Sequence, residues 1–121
     1  MSSLQDVRHA VLALHRALLE AERVVYERTH GRQSAGAFLE AVIHASELAW
    51  LQPLTALIVR LDEDLEVAGA SDPDVLRALR VLLQPDAGGD AFQQRYAEVL
   101  QRSPEAVIAH GALVRALPAQ R

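Results

Sequence analysis

The segment AVIHASELAWLQPLTALIVRLDEDLE, Ala41–Glu66, contains the only Trp of the chain, the only Pro of its first half and its longest apolar run. Its leucines recur at helical spacing, so we expect it to form the helix against which the others pack. Pro53 interrupts this pattern, because proline lacks a backbone donor and clashes with the carbonyl four residues back. The helix therefore either kinks at Pro53 or restarts with Pro53 in its first turn. Trp50 lies at this joint.

A long helix precedes this segment. Apolar residues from Leu4 to Val25 recur at alternating spacings of three and four, which predicts a helix over Leu4–His30. Its length is about 39 Å at a rise of about 1.5 Å per residue. Ser3 is the expected N-cap and Gly31 the expected C-terminal cap. A second row of residues lies beside the apolar stripe: Leu12, His15, Leu19, Glu22 and Tyr26.

Capping residues predict the remaining helices. Asp72 before Pro73 begins one helix and Asp90 begins another. The other expected starts are Ser34, Ser46 and the Ser103-Pro104 pair, and a loop is expected over Val67–Ser71. Two further inward faces are predicted, one with Phe38, Leu39, Val42 and Ile43, and one with Val107, His110, Val114 and Leu117. Strand patterns are absent from the sequence, which predicts an all-α bundle of five or six helices, four of them substantial.

Composition limits the classes of function. A chain of 121 residues is expected to form a single domain over positions 1–121. It has no cysteine, which excludes disulfides and thiolate chemistry. A net charge of -4 argues against nucleic-acid binding. The N-terminal segment carries Asp6 and Arg8 and is not typical of a signal peptide, and no window has the length of a membrane span. We therefore expect a cytoplasmic protein with no membrane contact.

Four polar residues embedded in apolar rows are the first candidates for chemistry. His15, Glu22 and Tyr26 lie on the first helix, and His110 lies on the last. If these helices pack together, the four side chains could converge on a ligand in the bundle interior. The alternative is that they are boundary residues paired with each other or with water.

Metal binding has little support in the sequence. The Glu-x-x-His spacing of di-iron bundles occurs once, at Glu27 and His30, so we expect no metal and no cofactor. Glu63 and Glu66 have the spacing of half a magnesium site, but the run from Asp62 to Glu66 is better explained as a solvated face or as partners for arginines. No motif for nucleophilic catalysis or for phosphate or dinucleotide binding is present.

Two stretches resemble a family of small bacterial helical proteins that is itself uncharacterised. They are LHRALLEAERVVYERTHG (Leu14–Gly31) and ELAWLQPLTALIVRLDE (Glu47–Glu63), with the family pattern ER-x-x-YE-x-x-HG followed by WL-x-PL. The x of WL-x-PL is a basic residue in that family, whereas this chain has Gln52 there. The resemblance implies that one set of positions acts together, with Arg23 paired to Asp62 or Glu63: Glu22, Arg23, Tyr26, Glu27, Trp50, Pro53, Asp62 and Glu63.

Two functions are compatible with these features. The first is a non-enzymatic bundle that acts by self-association or by binding another protein, with the first helix or the Trp50 region at the two-fold axis of a homodimer. Its support is a first helix with more apolar surface than a small bundle can cover. The second is a bundle, possibly an enzyme, that binds a small ligand or a metal through His15, Glu22, Tyr26 and His110.

Overall fold

The computed structural model describes residues 4–68 and 73–117, and within them the protein is all-α, as predicted. Six α-helices and one 3₁₀ helix make up this part of the chain. We name them in chain order: α1 Leu4–His30, α2 Ala35–His44, the 3₁₀ helix Ser46–Leu51, α3 Gln52–Ala68, α4 Pro73–Leu82, α5 Ala91–Arg102 and α6 Pro104–Ala116.

The long helix α1 has the predicted bounds. Gly31 has a φ of 80° and its N–H reaches the carbonyl of Glu27 at 2.8 Å, so it closes the helix in the left-handed conformation that glycine adopts without strain. The predicted N-cap, Ser3, lies outside the described residues. The predicted stripe faces the core in its first two thirds, but Val25 at its C-terminal end is 39% exposed, whereas Glu22 of the second row is buried there.

The second predicted alternative for Pro53 is confirmed. The chain leaves α2 through Ala45, which is extended, makes the 3₁₀ helix, and restarts as α3 with Pro53 in the first turn. There the missing N–H of proline has no intrahelical partner to lose. Ser46 does not cap this segment: Ala45 precedes the 3₁₀ helix, and no side chain bonds its start.

The other caps follow the predictions where they are described. Ser34 accepts from the N–H of Ala37, and Ser103 accepts from that of Ala106. Asp90 and Gln93 form a reciprocal capping box at the start of α5. The predicted loop starts late, since α3 extends to Ala68, and its remainder and the cap at Asp72 fall outside the described residues.

Two predicted inward faces are wrong in part. On α6 the buried residues are Ala106, Leu113 and Leu117, whereas Val107 and Val114 are exposed. On α2, Phe38 and Ala41 are buried, whereas Leu39 and Ile43 are 60% and 55% exposed. In each helix an alanine takes a core position, Ala41 in α2 and Ala106 in α6.

Two hydrophobic clusters hold the bundle together. The main one joins α1, α3, α4, α5 and α6 around Leu14, Leu54 and Leu113. The smaller one holds α2 through Phe38, Ala41 and Leu48. No single described helix is both long and apolar enough to cross a membrane; α2 together with the segment Ser46–Glu66, bent by 78°, meets those criteria of length and composition as a pair.

Candidate functional site

Glu22 is the one charged residue that is buried among the described residues, with 3% of its surface exposed. Its Oε2 accepts a hydrogen bond from Nε1 of Trp50 at 3.1 Å and another from Nη2 of Arg95 at 3.2 Å. Its Oε1 accepts from Nη2 of Arg102, whose Nη1 also donates to the carbonyl of Ala21 at 3.0 Å. We call these four side chains, of Glu22, Trp50, Arg95 and Arg102, the Glu22 network.

The Glu22 network compensates the loss of hydration of a buried carboxylate. A carboxylate removed from water needs opposite charge and hydrogen bonds, and here two arginines and an indole supply both. The arginines reach it from α5, where positions 95 and 102 are two turns apart on one side, and their outer surfaces remain hydrated. Both oxygens of Glu22 accept hydrogen bonds from the protein, and these bonds join α1, the 3₁₀ helix and α5.

A row of aromatic rings begins at Trp50. Its ring lies 5.3 Å from that of Phe92, which lies 5.7 Å from Tyr96, which in turn lies 5.5 Å from His110. The guanidinium of Arg95 lies 5.7 Å from the Trp50 ring. Trp50 therefore packs directly on the core residue Phe92. The row of rings extends along α5 from the Glu22 network to His110 on α6.

Tyr96 and His110 form a buried pair. The hydroxyl of Tyr96 lies 2.6 Å from Nδ1 of His110. Burial raises the pKa of Tyr96 and lowers that of His110, so both groups are neutral near pH 7. Tyr96 is fully buried, so its single proton must be donated, and Nδ1 of His110 is the acceptor that the structure offers. His110 therefore carries its own proton on Nε2.

His15 is paired in a similar way, but elsewhere. Its Nε2 lies 3.3 Å from Oγ1 of Thr55, and that hydroxyl donates to the carbonyl of Leu51 at 3.2 Å. Because the hydroxyl proton is thus engaged, Nε2 of His15 is the donor to Oγ1. Burial lowers the pKa of His15, which agrees with a neutral ring at the boundary between α1 and α3.

Tyr26 belongs to the end of α1 that packs against α2. Its ring stacks on His30 with 4.2 Å between centroids and meets the edge of Phe38 at 6.0 Å. Beside it, Glu27 accepts from the N–H of Gln33 at 2.7 Å, and this bond is the largest cause of a lowered pKa at Glu27. Arg23 donates to the carbonyl of Gln33 at 2.6 Å, so these residues fix the turn after α1.

The four candidate ligand residues therefore do not share a hydrogen-bonded site. Glu22, His15, Tyr26 and His110 each have contacts of their own on different neighbours, which corrects the expectation that they converge. The alternative interpretation is right in part: Glu22, His15 and His110 each have a polar partner, but these partners are other side chains, and Glu22 is buried and not at the boundary. Within residues 4–68 and 73–117, no group of three or more His, Asp or Glu side chains could hold a metal ion.

The predicted pairing of Arg23 with Asp62 or Glu63 is wrong. Arg8 takes that place, with its Nε 2.5 Å from Oδ1 of Asp62, whereas Arg23 bonds Glu27 and the turn at Gln33. The reason is direction: α1 and α3 are antiparallel, so the start of α1 faces the end of α3. Glu63 is exposed on α3, away from the Glu22 network.

Sequence reasoning missed Arg95 and Arg102. The available signal was their seven-residue spacing, which places two cations on one side of α5, combined with Glu22 in an apolar row of α1. A buried carboxylate implies cationic partners, and this pair was a candidate for that role.

The outer side of α1 and α6 forms a different kind of surface. Small residues let these antiparallel helices approach closely, and outside the contact they leave a depression of about 480 Å³ floored by Ala10, Ala13, Ala17, Ala109 and Ala112. Ile108 stands beside it with 71% of its surface exposed. Arg16, Glu20 and Glu105 also line it. We call this surface the alanine groove.

Comparison with known proteins gives no assignment. No family model matches the chain, and neither a curated protein nor a solved structure is significantly similar to it. The resemblance of Leu14–Gly31 and Glu47–Glu63 to a bacterial helical family stays a prediction.

Proposed function

We propose that the protein is a non-enzymatic helical bundle that acts by self-association, with the alanine grooves of two copies packed against each other. The observation that carries this proposal is Ile108, the most exposed large apolar side chain among the described residues, standing next to a depression lined by alanines. Helix one would then lie at the two-fold axis, whereas Trp50 is engaged inside its own chain.

The shape of the alanine groove supports a second copy as the occupant. An isologous interface needs a surface that is complementary to itself. A protruding residue beside a depression has this property, because a two-fold rotation places each Ile108 over the groove of the other copy. The apolar surface continues along the same helices through Val24, Val25 and Val107, all of them exposed.

The charges around the groove support the same arrangement. Arg16, Glu20 and Glu105 make no ion pair with a described residue, although all three line the depression. In a face-to-face pair of copies, Arg16 of one can meet a carboxylate of the other. The exposed apolar pair on α2, Leu39 and Ile43, differs, because the polar side chains beside it, Glu40 and His44, already lie 3.5 Å apart.

The test is sedimentation of the wild-type chain and of two matched variants. Wild type is expected to be a dimer at high micromolar concentration. Ile108→Arg is expected to be monomeric, since it removes the apolar side chain that would fill the groove of the other copy and puts a charged one in its place. Ile43→Arg, the same change at an exposed position of α2, is expected to remain dimeric. Far-UV circular dichroism checks that both variants keep the helical content.

Three results would overturn the proposal. One is a wild-type chain that sediments as a monomer throughout the concentration range. Another is a dimer that persists in Ile108→Arg. The third is a dimer lost only in Ile43→Arg, which would place the interface on α2.

A further inference from the structure

A second depression, of about 510 Å³, lies between the second half of α1 and the junction of α5 with α6. Val24 and Val25 are part of its lining, and they are 53% and 39% exposed. It shares three residues with the alanine groove: Ala17, Glu20 and Glu105. The two depressions are therefore neighbouring parts of one surface that follows α1.

The alanine groove is too small to be the whole contact between two copies. Ten residues line it, whereas a stable interface has about 20 to 30 residues on each side. A copy docked through Ile108 therefore has to cover neighbouring surface as well. The second depression meets this need, because it borders the groove directly and exposes apolar side chains.

Arg102 belongs both to the second depression and to the Glu22 network. Its Nη2 donates to Oε1 of Glu22, and its Nη1 donates to the carbonyl of Ala21 at 3.0 Å. Its side chain is nevertheless 38% exposed and is part of the lining of the depression. A guanidinium carries more N–H donors than these two bonds use. Arg102 can therefore stay bonded to its own chain and also donate to another.

The other arginines of this surface are held less firmly. Arg28 lines the second depression and Arg16 lines the alanine groove, and neither forms an ion pair with a described residue. A free arginine loses side-chain entropy when an interface orders it, whereas the bonds of Arg102 have already ordered it. Glu22 also offsets the charge of Arg102, which lowers the cost of removing it from water. Arg102 is thus the best prepared of these cations for burial in an interface.

Acceptors for Arg102 are present on the same surface. Glu20 and Glu105 line both depressions and form no ion pair with a described residue. In an isologous contact each copy presents this same mixture of cations and carboxylates to the other. The charge pattern therefore favours a second copy over a partner that carries only one sign of charge.

We infer that Arg102 is a shared residue: it binds Glu22 in its own chain and, in the dimer, donates to a carboxylate of the other copy at the second depression. The Glu22 network then affects the affinity of self-association as well as the stability of the bundle. Coupling is reciprocal, so the order that Glu22 gives to Arg102 strengthens the dimer, and dimer formation stabilises the Glu22 network. This role of Arg102 rests on the proposed self-association and adds the residue that links the interface to the interior.

Arg102→Met and Arg95→Met are the matched test, with dimer dissociation constants taken from sedimentation over a concentration series. Both arginines are on α5, both donate to Glu22 and both are partly exposed, but Arg102 alone of the two lines the depression. Arg102→Met is expected to raise the dissociation constant about tenfold, the loss of one charge-assisted hydrogen bond. Arg95→Met is expected to change it less than about twofold, because Arg102 keeps its bonds.

The comparison of these two variants separates a contact in the interface from a structural effect. A general loosening of the fold would weaken the dimer of both variants, whereas the inferred contact weakens only that of Arg102→Met. Circular dichroism checks that both keep the helical content of the wild-type chain.

Val24→Arg and Val59→Arg test the second depression without changing the Glu22 network. The two valines are 53% and 50% exposed, but only Val24 of the two lines the depression. Val24→Arg is expected to weaken the dimer at least about tenfold, because it replaces an apolar contact by a charge, and Val59→Arg is expected to leave the dimer unchanged. Both positions are exposed, so this pair of variants decides the matter if Arg102→Met fails to fold.

Equal dissociation constants for Arg102→Met and Arg95→Met would refute the inference, as would a dimer of wild-type affinity in Val24→Arg. If Ile108→Arg abolishes the dimer while Arg102→Met and Val24→Arg keep it, the proposed self-association stands and the role of Arg102 falls. A wild-type chain that is monomeric removes both.

Discussion

The Glu22 network and the Arg8–Asp62 pair both tie α1 to other helices by charge, at opposite ends of the same helix. Glu22 is 3% exposed and receives donors from three side chains. Arg8 and Asp62 are 39% and 43% exposed and form a single contact. The two sites have similar chemistry and differ in burial, which decides how much each one stabilises the fold.

The difference follows from hydration. An exposed ion pair exchanges water for a partner of similar strength and loses side-chain freedom, so it contributes little. A buried carboxylate that loses a partner cannot be rehydrated, so removal of a partner leaves an uncompensated charge and destabilises the fold. The contribution of an ion pair to stability therefore depends on how deeply it is buried. The substitutions below test this comparison.

Glu22→Gln is expected to have the largest effect, lowering the free energy of unfolding by about 3 kcal/mol. It keeps the size of the side chain, but it presents two arginines with a neutral amide, whose N–H₂ end cannot accept from them. Urea unfolding followed by circular dichroism measures the change.

The matched control is Glu63→Gln, the same substitution at an exposed position of α3. It is expected to change the free energy of unfolding by less than about 0.5 kcal/mol. Equal effects of the two substitutions would refute the importance of burial in the Glu22 network.

Trp50→Phe is expected to lower the free energy of unfolding by about 2 kcal/mol, through loss of one hydrogen bond to a charged acceptor. The aromatic contact with Phe92 is retained in part, so the remaining loss reports the indole N–H. Since this variant has no tryptophan, circular dichroism is the probe. A double variant with Glu22→Gln should show strong non-additivity; simple addition of the two losses would mean that Trp50 and Glu22 act independently.

Asp62→Asn is expected to have the smallest effect of the substitutions within the two charged sites, at most about 0.5 kcal/mol, because the Arg8–Asp62 pair is exposed. Added salt should remove even this difference from wild type. A loss comparable with that of Glu22→Gln would show that exposure does not separate the two sites.

Most of the fold could be predicted from local signals. Gly31, Ser34, Asp90 and Ser103 mark helix ends through their own backbone or side-chain bonds, which need no tertiary information. The inward faces of α2 and α6 could not be predicted as well. Hydrophobic size favours valine and leucine in the core, whereas the structure buries Ala41 and Ala106, because the buried face depends on where the neighbouring helices lie.

The residues of the candidate site also divide into those that could be recognised in the sequence and those that could not. Glu22 and His110 could be recognised because each is a polar residue in an apolar row, and Trp50 because it is the only tryptophan. Their partners do not, since pairing depends on which helix lies opposite and in which direction it runs. Arg95 reaches Glu22 across 73 residues of sequence, and no spacing rule connects them.

The row of rings from Trp50 to His110 has an optical consequence. The chain has one tryptophan and two tyrosines, so its long-wavelength emission has a single origin. Trp50 touches the buried carboxylate at one end of the row, and the Tyr96–His110 pair lies at the other. The protein therefore contains an intrinsic fluorophore at the Glu22 network, through which changes in that network can be observed without a label.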